Sequence, residues 1–476
     1  MRTMTRRELL QKTGMGLGSL ALAGMLDRAG LFAAPTDSVD WTHPLAPRQP
    51  HFRPRAKAVI WIVLNGGARQ VDTWDYKPEL QRRDGQTLRG ADTGTGFFKT
   101  SGKLLKSPFR FAQRGQSGTW VPEIFPHLAR HVDEMALVHS CWTESNNHSP
   151  ALFQINTGLN RMGFPCVGSW VSYGLRTENA NLPAFVVMTD AKGRGLPKGR
   201  AQNWGAGFLP SVYQGVAINN TGAPIDHLER RGGQSAQQQG ALLETLRALN
   251  QQHLERFRDE SELSARIESF ELAFRMQMTA PAVLDIDRES QHTQHAYGVD
   301  NKQCAHFARQ CLMARRLVEQ GVRFIQIYSG GNGNAESWDG HNDIYANHSN
   351  FAAEIDQSTA ALIGDLKARG LLDSTLVVCG GEFGRTSDSQ GSRGRDHNPH
   401  AFTTWFAGGG IKGGVHYGAT DAFGYRVVEN HASVHDLHAT LLHLLGMNHK
   451  RLTYRFNGRD FRLTDVHGIP IAPIMA

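Results

Sequence analysis

Residues 58–64 read Ala-Val-Ile-Trp-Ile-Val-Leu, an unbroken apolar run, and residues 65–67, which follow it, read Asn-Gly-Gly. A run without a single polar position is typical of a strand that is buried on both faces, as strands are in parallel sheets. The two glycines allow a tight turn directly after the run. The stretch therefore predicts the first strand of a parallel sheet, ending in a glycine turn.

Four further apolar runs have the same character, and each has a helical segment near it. They cover residues 135–139, 184–188, 323–328 and 374–379. Alternation of strands and helices is typical of a doubly wound α/β fold, a mostly parallel central sheet with helices on both faces. Residues 241–278 and 303–320 have helical spacing, and strands flank them on both sides. We therefore predict one α/β domain, residues 51–470, with a helical insertion at about residues 240–320.

The composition of the 476 residues is that of an ordinary globular protein, with 40% apolar and 20% charged positions. The formal net charge is +7, but the basic residues are spread along the chain without a dense Lys/Arg run. This pattern argues against a nucleic-acid partner and suits an anionic substrate. The five cysteines are scattered without C-x-x-C spacing, which argues against a disulfide framework and against a zinc ribbon.

The amino terminus has the pattern of a twin-arginine export signal. Residues 5–10 read Thr-Arg-Arg-Glu-Leu-Leu, and the charge-free stretch 13–26 follows them. This stretch is shorter than the roughly 20 residues that span a bilayer, so we expect no stable membrane span after signal removal. A buried amphipathic helix is the alternative. We predict that residues 1–50 are signal and linker and that the protein resides in the periplasm or cell envelope.

Residues that follow the predicted strands supply the candidate metal ligands, because ligands of open α/β sheets bind at the carboxyl ends of strands. Carboxylates and imidazoles at these turns are ligands for Zn²⁺, Ca²⁺, Mg²⁺ or Mn²⁺. A single Asp-x-His is more often a hydrogen-bonded turn, but several such pieces at adjacent strand ends favour ligation. The predicted metal ligands are Asp72, Asp339, His341, Glu382, Asp396 and His397, with His148 as a further candidate.

Three stretches resemble sulfatase elements. Residues 148–158, His-Ser-Pro-Ala-Leu-Phe-Gln-Ile-Asn-Thr-Gly, are similar in spacing to C/S-x-P-x-R-x-x-x-x-T-G, whose first residue is the nucleophile at a helix amino terminus. Residues 377–384 resemble the later strand that ends in D-H-G or D-N-G. Residues 433–446 are similar to the closing helix, D-L-x-x-T-L-L-x-L-x-G.

A closer resemblance is to the bacterial domain-of-unknown-function 1501 family, a sulfatase-like group of the alkaline phosphatase superfamily with twin-arginine signals. The matching motifs are residues 66–67, 72–78, 125–128, 147–148, 338–341, 381–386, 394–397 and 407–411. The resemblance covers residues 54 to 465 approximately. It implies an alkaline-phosphatase/sulfatase-like fold and an envelope location, but no reaction, because none is settled for the family.

Three positions depart from working sulfatases and phosphatases. Asn65 stands where those enzymes have a metal-binding Asp, His148 occupies the nucleophile position, and Glu382-Phe383 replaces D-H or D-N. Formylglycine chemistry is excluded because position 148 is neither Cys nor Ser. Ser149 is a fallback nucleophile.

Two mechanisms remain open at this point. In the favoured one, one or two divalent ions activate water, while Arg385 and Arg395 clamp the oxygens of a sulfate or phosphate ester. In the other, the imidazole of His148 attacks the ester and forms a covalent intermediate. Arg385 alternatively forms a structural ion pair with Glu382.

The sequence thus supports two functional hypotheses. The first is a metal-dependent hydrolase of sulfate or phosphate esters, whose substrate is an anionic small molecule or a polysaccharide ester. The second is a catalytically degenerate protein that binds an anionic glycan or a protein partner, since Asn65, His148 and Phe383 replace residues of the usual chemistry.

Overall fold

Seventeen strands are present in the computed structural model, which describes residues 45–87, 97, 101–219, 235–256 and 261–476. In chain order they are β1 (Ala58–Leu64), β2 (Phe111–Arg114), β3 (Thr119–Pro122), β4 (Met135–Trp142), β5 (Phe185–Met188), β6 (Val216–Ile218), β7 (Phe324–Ser329), β8 (Thr375–Gly380), β9 (Gly384–Arg385), β10 (His397–Asn398), β11 (Phe402–Ala407), β12 (Val415–Tyr417), β13 (Ala419–Thr420), β14 (Val427–Glu429), β15 (Ala432–Ser433), β16 (Tyr454–Phe456) and β17 (Arg459–Phe461).

Nine α-helices lie within the same described ranges. They are α1 (Pro78–Arg82), α2 (His148–Thr157), α3 (Val167–Leu175), α4 (Ala236–Arg256), α5 (Ser261–Leu284), α6 (Gln291–Tyr297), α7 (Ala305–Glu319), α8 (Ile344–Ala368) and α9 (Val434–Leu444). Four of them, α4 to α7, follow one another between β6 and β7, in the region of the predicted helical insertion. None of the described helices is long and apolar enough to cross a membrane.

A central sheet of nine strands has the order β12-β4-β11-β8-β1-β7-β5-β6, with β15 paired to β4. Only β11 runs antiparallel to its neighbours β4 and β8, and the other pairs are parallel. The structure therefore confirms the predicted α/β class with a mostly parallel central sheet. The five apolar runs identified in the sequence correspond to β1, β4, β5, β7 and β8.

The register of the central strands decides where their following loops begin. Leu64, the last residue of β1, pairs with Ser329 of β7, and Val63 pairs with Gly380 of β8. The three strands are parallel and end at nearly the same level, so the loops after them leave from one edge of the sheet. A small antiparallel ribbon, β9 with β10, pairs His397 with Arg385 near that edge.

The predicted export signal, within residues 1–50, lies outside the described residues apart from residues 45–50. The division into a signal segment and an α/β domain stays a prediction.

Candidate metal centre

Three histidines and one aspartate converge beyond the ends of the central strands. His148 is the first residue of α2, Asp339 and His341 lie in the loop after β7, and His397 begins β10. All four side chains are buried, and one ligand atom from each lies within 4.8 Å of the others. The strand-end residues named from the sequence thus include a cluster that could hold a metal ion.

Asp339 lies between the three imidazoles. Its Oδ1 atom is 2.7 Å from Nε2 of His341 and 3.2 Å from Nε2 of His397. Its Oδ2 atom is 3.0 Å from Nε2 of His148. The two Nε2 atoms of His341 and His397 are themselves only 3.0 Å apart. Every imidazole therefore presents the same nitrogen, Nε2, to one shared point.

The other ring nitrogen of each histidine contacts an acceptor. Nδ1 of His397 lies 2.6 Å from the carbonyl oxygen of Asn146, and Nδ1 of His341 lies 2.5 Å from Oε1 of Gln390. Nδ1 of His148 is 2.7 Å from Oε1 of Glu382. Carbonyl and carboxylate oxygens can only accept, so in neutral rings the proton belongs on Nδ1. Each Nε2 is then left with a lone pair, which is the tautomer of a metal-binding histidine.

Lone pairs held this close favour a cation between them. Two unprotonated Nε2 atoms at 3.0 Å repel each other unless positive charge lies between them. Moreover, Nε2 of His148 and Oδ2 of Asp339 are buried and have no hydrogen-bond partner, although they lie 3.0 Å apart. Buried polar atoms without partners are costly. A bound metal ion satisfies all of these atoms together, so the residues present fit such an ion.

The electrostatic surroundings keep Asp339 and His397 in the state that a metal requires. Burial alone would raise the pKa of Asp339, but the positive charge of Arg385 holds it well below its ordinary value. Burial, together with the positive charge of Arg385, lowers the pKa of His397 to about 3. Asp339 is therefore an anion and His397 a neutral imidazole at pH 7.

Arg385 lies behind Asp339 and is fully buried. One guanidinium nitrogen donates to Oδ1 of Asp339 at 2.5 Å and to the carbonyl oxygen of Gly66, and Nε donates to the carbonyl oxygen of Gly67 at 3.0 Å. Arg385 thus pairs with Asp339 and not with Glu382, the alternative considered from the sequence. Its hydrogen bonds hold the carboxylate and the glycine turn after β1 in place.

The turn after β1 fixes the loop that carries Asp339. The side-chain amide of Asn65 donates to the carbonyl oxygens of Gly330 (3.2 Å) and Gly331 (2.5 Å) in the loop after β7. At Gly66, φ is +109° and a Cβ atom would lie 2.6 Å from the backbone nitrogen of Asp339. Only glycine allows this approach. Asn65 therefore joins the two strand ends.

Glu382 contacts the cluster through His148. Its carboxylate accepts from Nδ1 of His148 at 2.7 Å and from the backbone nitrogen of Gly66 at 3.0 Å. Glu382 thus orients an imidazole that faces the shared point.

The structure places three other predicted site residues outside the cluster. Asp72 and Arg395 form a fully buried ion pair, with Nε of Arg395 2.9 Å from Oδ2 of Asp72. Arg395 also donates to the carbonyl oxygens of Thr386 and Ser387. Oδ1 of Asp396 accepts from the backbone nitrogen of His397 at 2.8 Å. Both arginines predicted to clamp an anion are thus buried and bound to protein acceptors.

One basic residue near the cluster, Lys198, was not predicted from the sequence. Nζ of Lys198 lies 3.7 Å from Oδ2 of Asp339, and its side chain is 31% exposed. Lys198 belongs to the loop after β5, and the loops after parallel strands are where ligand-binding residues are expected. Unlike Arg385 and Arg395, it reaches solvent.

A third buried arginine lies next to the site. Arg69 is fully buried, and none of its guanidinium nitrogens has a hydrogen-bond partner among the described residues. Burial, followed by the repulsion of Arg385, lowers its pKa well below the ordinary value, while Asp72 and Asp339 act in the opposite direction.

Three solved structures are among those similar to the chain. The lipoteichoic acid synthase LtaP from Listeria monocytogenes is 10% identical, with a TM-score of 0.34 over 89% of this chain and 79% of that one. The PsFucS1 sulfatase from Pseudoalteromonas sp. is 12% identical, with a TM-score of 0.36 over 84% and 68%. The phosphonate monoester hydrolase SpPMH from Silicibacter pomeroyi is 12% identical, with a TM-score of 0.36 over 82% and 73%.

Similarity at this level carries no information on activity, and no curated protein matches the sequence. A family model described as "Protein of unknown function (DUF1501)" matches residues 56–475. Because this span includes the sheet, the cluster and most of the chain, the protein belongs to the DUF1501 family.

Proposed function

We propose that the protein is an exported, metal-dependent hydrolase of sulfate or phosphate esters that acts on polysaccharides. The observation that carries the proposal is the convergence of three Nε2 atoms and the Asp339 carboxylate within 4.8 Å, each imidazole being held by an acceptor at Nδ1. The twin-arginine motif at residues 5–10 supports the proposed export, and the sulfatase-like motifs support the proposed class of ester.

Zn²⁺ is the metal that this donor set fits best. Imidazole nitrogen with one carboxylate suits zinc, whereas Mg²⁺ and Ca²⁺ are held by oxygen ligands. The proposed ligands are His148, Asp339, His341 and His397. A bound zinc ion supplies Lewis acidity and lowers the pKa of coordinated water.

The residues around the cluster would then bind the substrate and position the metal ligands. Lys198 contacts the negatively charged ester group, since it is a cation beside the cluster that reaches solvent. Arg385 positions Asp339, and Glu382 positions His148. Direct attack by His148 is disfavoured, because Nδ1 contacts Glu382 and Nε2 faces Asp339.

The test combines metal content with turnover. The full chain is purified and its metal measured by mass spectrometry, alongside His341→Ala, His397→Ala and the control His292→Ala, whose side chain is exposed. We expect about one zinc ion per chain in wild type and control, and loss of that ion in the two cluster variants. Aryl sulfate and aryl phosphate esters then serve as substrates. A folded wild-type protein without bound divalent metal and without turnover would refute the proposal.

A second candidate is favoured by the number of donors. Four protein ligands complete a tetrahedral shell, as in structural zinc sites, whereas catalytic sites keep a position open. The chain would then be a binding protein for an anionic glycan. Stoichiometric zinc without ester turnover, together with affinity for a sulfated glycan that decreases in Lys198→Ala, is the result that supports this candidate.

A further inference from the structure

Helices α4 and α5 present apolar side chains to solvent. Among the side chains of these helices that the structure describes, five large apolar ones are exposed, at fractions from 44% for Leu246 to 75% for Phe270; the others are Leu242, Leu249 and Met278. On α4, residues 242, 246 and 249 recur at spacings of four and three and therefore share one face of the helix. Such a face is typical of a helix that packs against another helix.

The opposite side of α5 already has partners within the chain. Leu272, Met276 and Ala280 are buried on that side, and α5 contacts α7 and the short 3-10 helix Ser211–Tyr213. The exposed face of α5 is thus a second apolar face, pointing away from the first. A helix that is apolar on two sides has two surfaces to cover.

Polar bonds connect α4 to α5 beside an apolar groove. Arg247 forms two hydrogen bonds of 2.9 Å with the carboxylate of Glu271, and Gln239 donates to Gln277 at 2.9 Å. The groove has a volume of about 670 Å³, and Leu246, Ile267, Phe270 and Phe274 are among its lining residues. The leucines of α4 and this groove lie side by side on one surface.

We propose that this surface, made of Leu242, Leu246, Leu249, Phe270 and Met278, binds the same surface of a second copy of the chain. A twofold interface requires a self-complementary patch, and here a row of leucines lies next to a groove that can receive such a row. Two helical hairpins packed in this way form a four-helix bundle, which buries both apolar faces.

The size of the surface is close to that of a dimer interface. Helix α4 has 21 residues and is therefore roughly 31 Å long at a rise of 1.5 Å per residue. Two adjacent helices, each about 10 Å wide, give a face of about 600 Å² per copy. Stable interfaces bury about 800 Å² per partner, so the face approaches the required area.

The charges favour a protein over a lipid surface. Helix α4 contains two acidic and two basic residues, Glu244, Glu255, Arg247 and Arg256, so it has no net charge. Arg275 of α5 is neutralised by Glu268 and Glu271. Helices that lie on anionic bilayers carry an excess of Lys and Arg on their polar face. Because α5 contains three acidic and two basic residues, the two helices together have a net charge of only −1, and a second copy of the chain meets little repulsion here.

The experiment measures the mass of the purified full chain by light scattering over a range of concentrations. We expect a dimer, and expect the mass to halve in the double variant Leu246→Glu, Leu249→Glu. The control is Ile469→Glu, an exposed apolar residue elsewhere on the chain, which should leave the dimer intact. Circular dichroism melts confirm that each variant is folded.

Crosslinking provides a second measurement. The five native cysteines are buried and unpaired, so Leu246→Cys should form an intermolecular disulfide under mild oxidation, whereas Ile469→Cys should not. A chain that is monomeric at every concentration, or a dimer unaffected by both glutamates, overturns the proposal. A monomer that instead floats with phosphatidylglycerol vesicles also overturns it and assigns the surface to lipid.

Discussion

The two nitrogens of the His148 ring have different partners, and the metal proposal depends on this difference. Nδ1 contacts Glu382, and Nε2 faces Asp339. The charge of Glu382 makes the imidazole a stronger ligand and fixes its orientation. A change at Glu382 therefore acts on the metal without removing any proposed ligand.

In Glu382→Gln, the acceptor oxygen remains but its negative charge is lost. We expect metal affinity to fall by about 10-fold, at the lower end of what is found for residues behind a metal ligand. Titration against a competing chelator measures it. The exposed Glu336→Gln is the control. Equal affinity in wild type and Glu382→Gln would contradict the role assigned to this carboxylate.

A change in the ion pair of Asp72 and Arg395 should have the opposite effect: it should lower stability without changing metal binding. Both side chains are fully buried, so Asp72→Asn leaves a buried guanidinium without its counter-charge. We expect a loss of about 3 to 5 kcal/mol in the free energy of unfolding, with metal content per folded chain unchanged. Urea titration and metal analysis measure the two quantities. Loss of metal at unchanged stability would instead make Asp72 a ligand, as the sequence predicted.

At the scale of an element, the turn after β1 brings Asp339 to the cluster. Gly66→Ala introduces a Cβ atom 2.6 Å from the backbone nitrogen of Asp339, at a φ of +109°. A suitable comparison is Gly85→Ala, where φ is +75° but no atom lies within 4 Å of the new carbon. Comparing the two variants separates the effect of steric clash from the effect of backbone strain.

We expect Gly85→Ala to cost about 1 to 2 kcal/mol from the left-handed backbone alone. Gly66→Ala should cost about 1 to 3 kcal/mol more because of overpacking, and it should also lower the metal content, since the loop carrying Asp339 and His341 must move. Chemical denaturation and metal analysis of both variants test this. Equal costs, with metal retained, would show that the loop adapts.

The strands differ in how readily they can be predicted from the sequence. Five central strands are long apolar runs, whose length and hydrophobicity are detectable without a partner. Strands β6, β12 and β15 have two or three residues each, too few for any period to appear. Strand β11 contains two threonines between its aromatic residues, and its antiparallel direction depends on pairing with β4 and β8.

The candidate site was predictable in position but not in orientation. The rule about strand ends placed Asp339, His341 and His397 at one edge of the sheet, where the structure brings them together. Asp72 obeys the same rule, yet its carboxylate turns to Arg395. The direction of a side chain depends on partners distant in the sequence, which residue type and spacing do not report.

At the scale of the whole molecule, buried histidines make the free energy of unfolding depend on pH. Burial, together with the charge of His435, lowers the pKa of His438 to about 3, although the hydrogen bond that its Nε2 donates to the carbonyl oxygen of Ile155 acts in the opposite direction. For His139, burial lowers the pKa to about 4, against the opposing charge of Asp75. In the unfolded chain both titrate near pH 6.5, so between these values unfolding takes up protons. Their contribution is complete above pH 6.5 and declines as the pH falls towards 4.

Each such histidine should add up to about 1.4 kcal/mol per pH unit to the slope of stability below pH 6.5. His438→Gln keeps a donor for the carbonyl oxygen of Ile155 but does not titrate, so its slope should be lower by about that amount. Urea titrations at several pH values measure it, with the exposed His292→Gln as control. Identical slopes in wild type and His438→Gln would contradict the expectation.

The wide spacing of the four clustered residues has a consequence for biosynthesis. One of them lies at position 148 and another at position 397, and β1 pairs with strands that follow it by more than 250 residues. A nascent chain therefore has no cluster until the ribosome has completed most of the protein. The site first exists in the compartment where the finished polypeptide folds, and if export follows the twin-arginine route, that compartment is the cytoplasm, whose free metal supply would then decide which ion the site meets first.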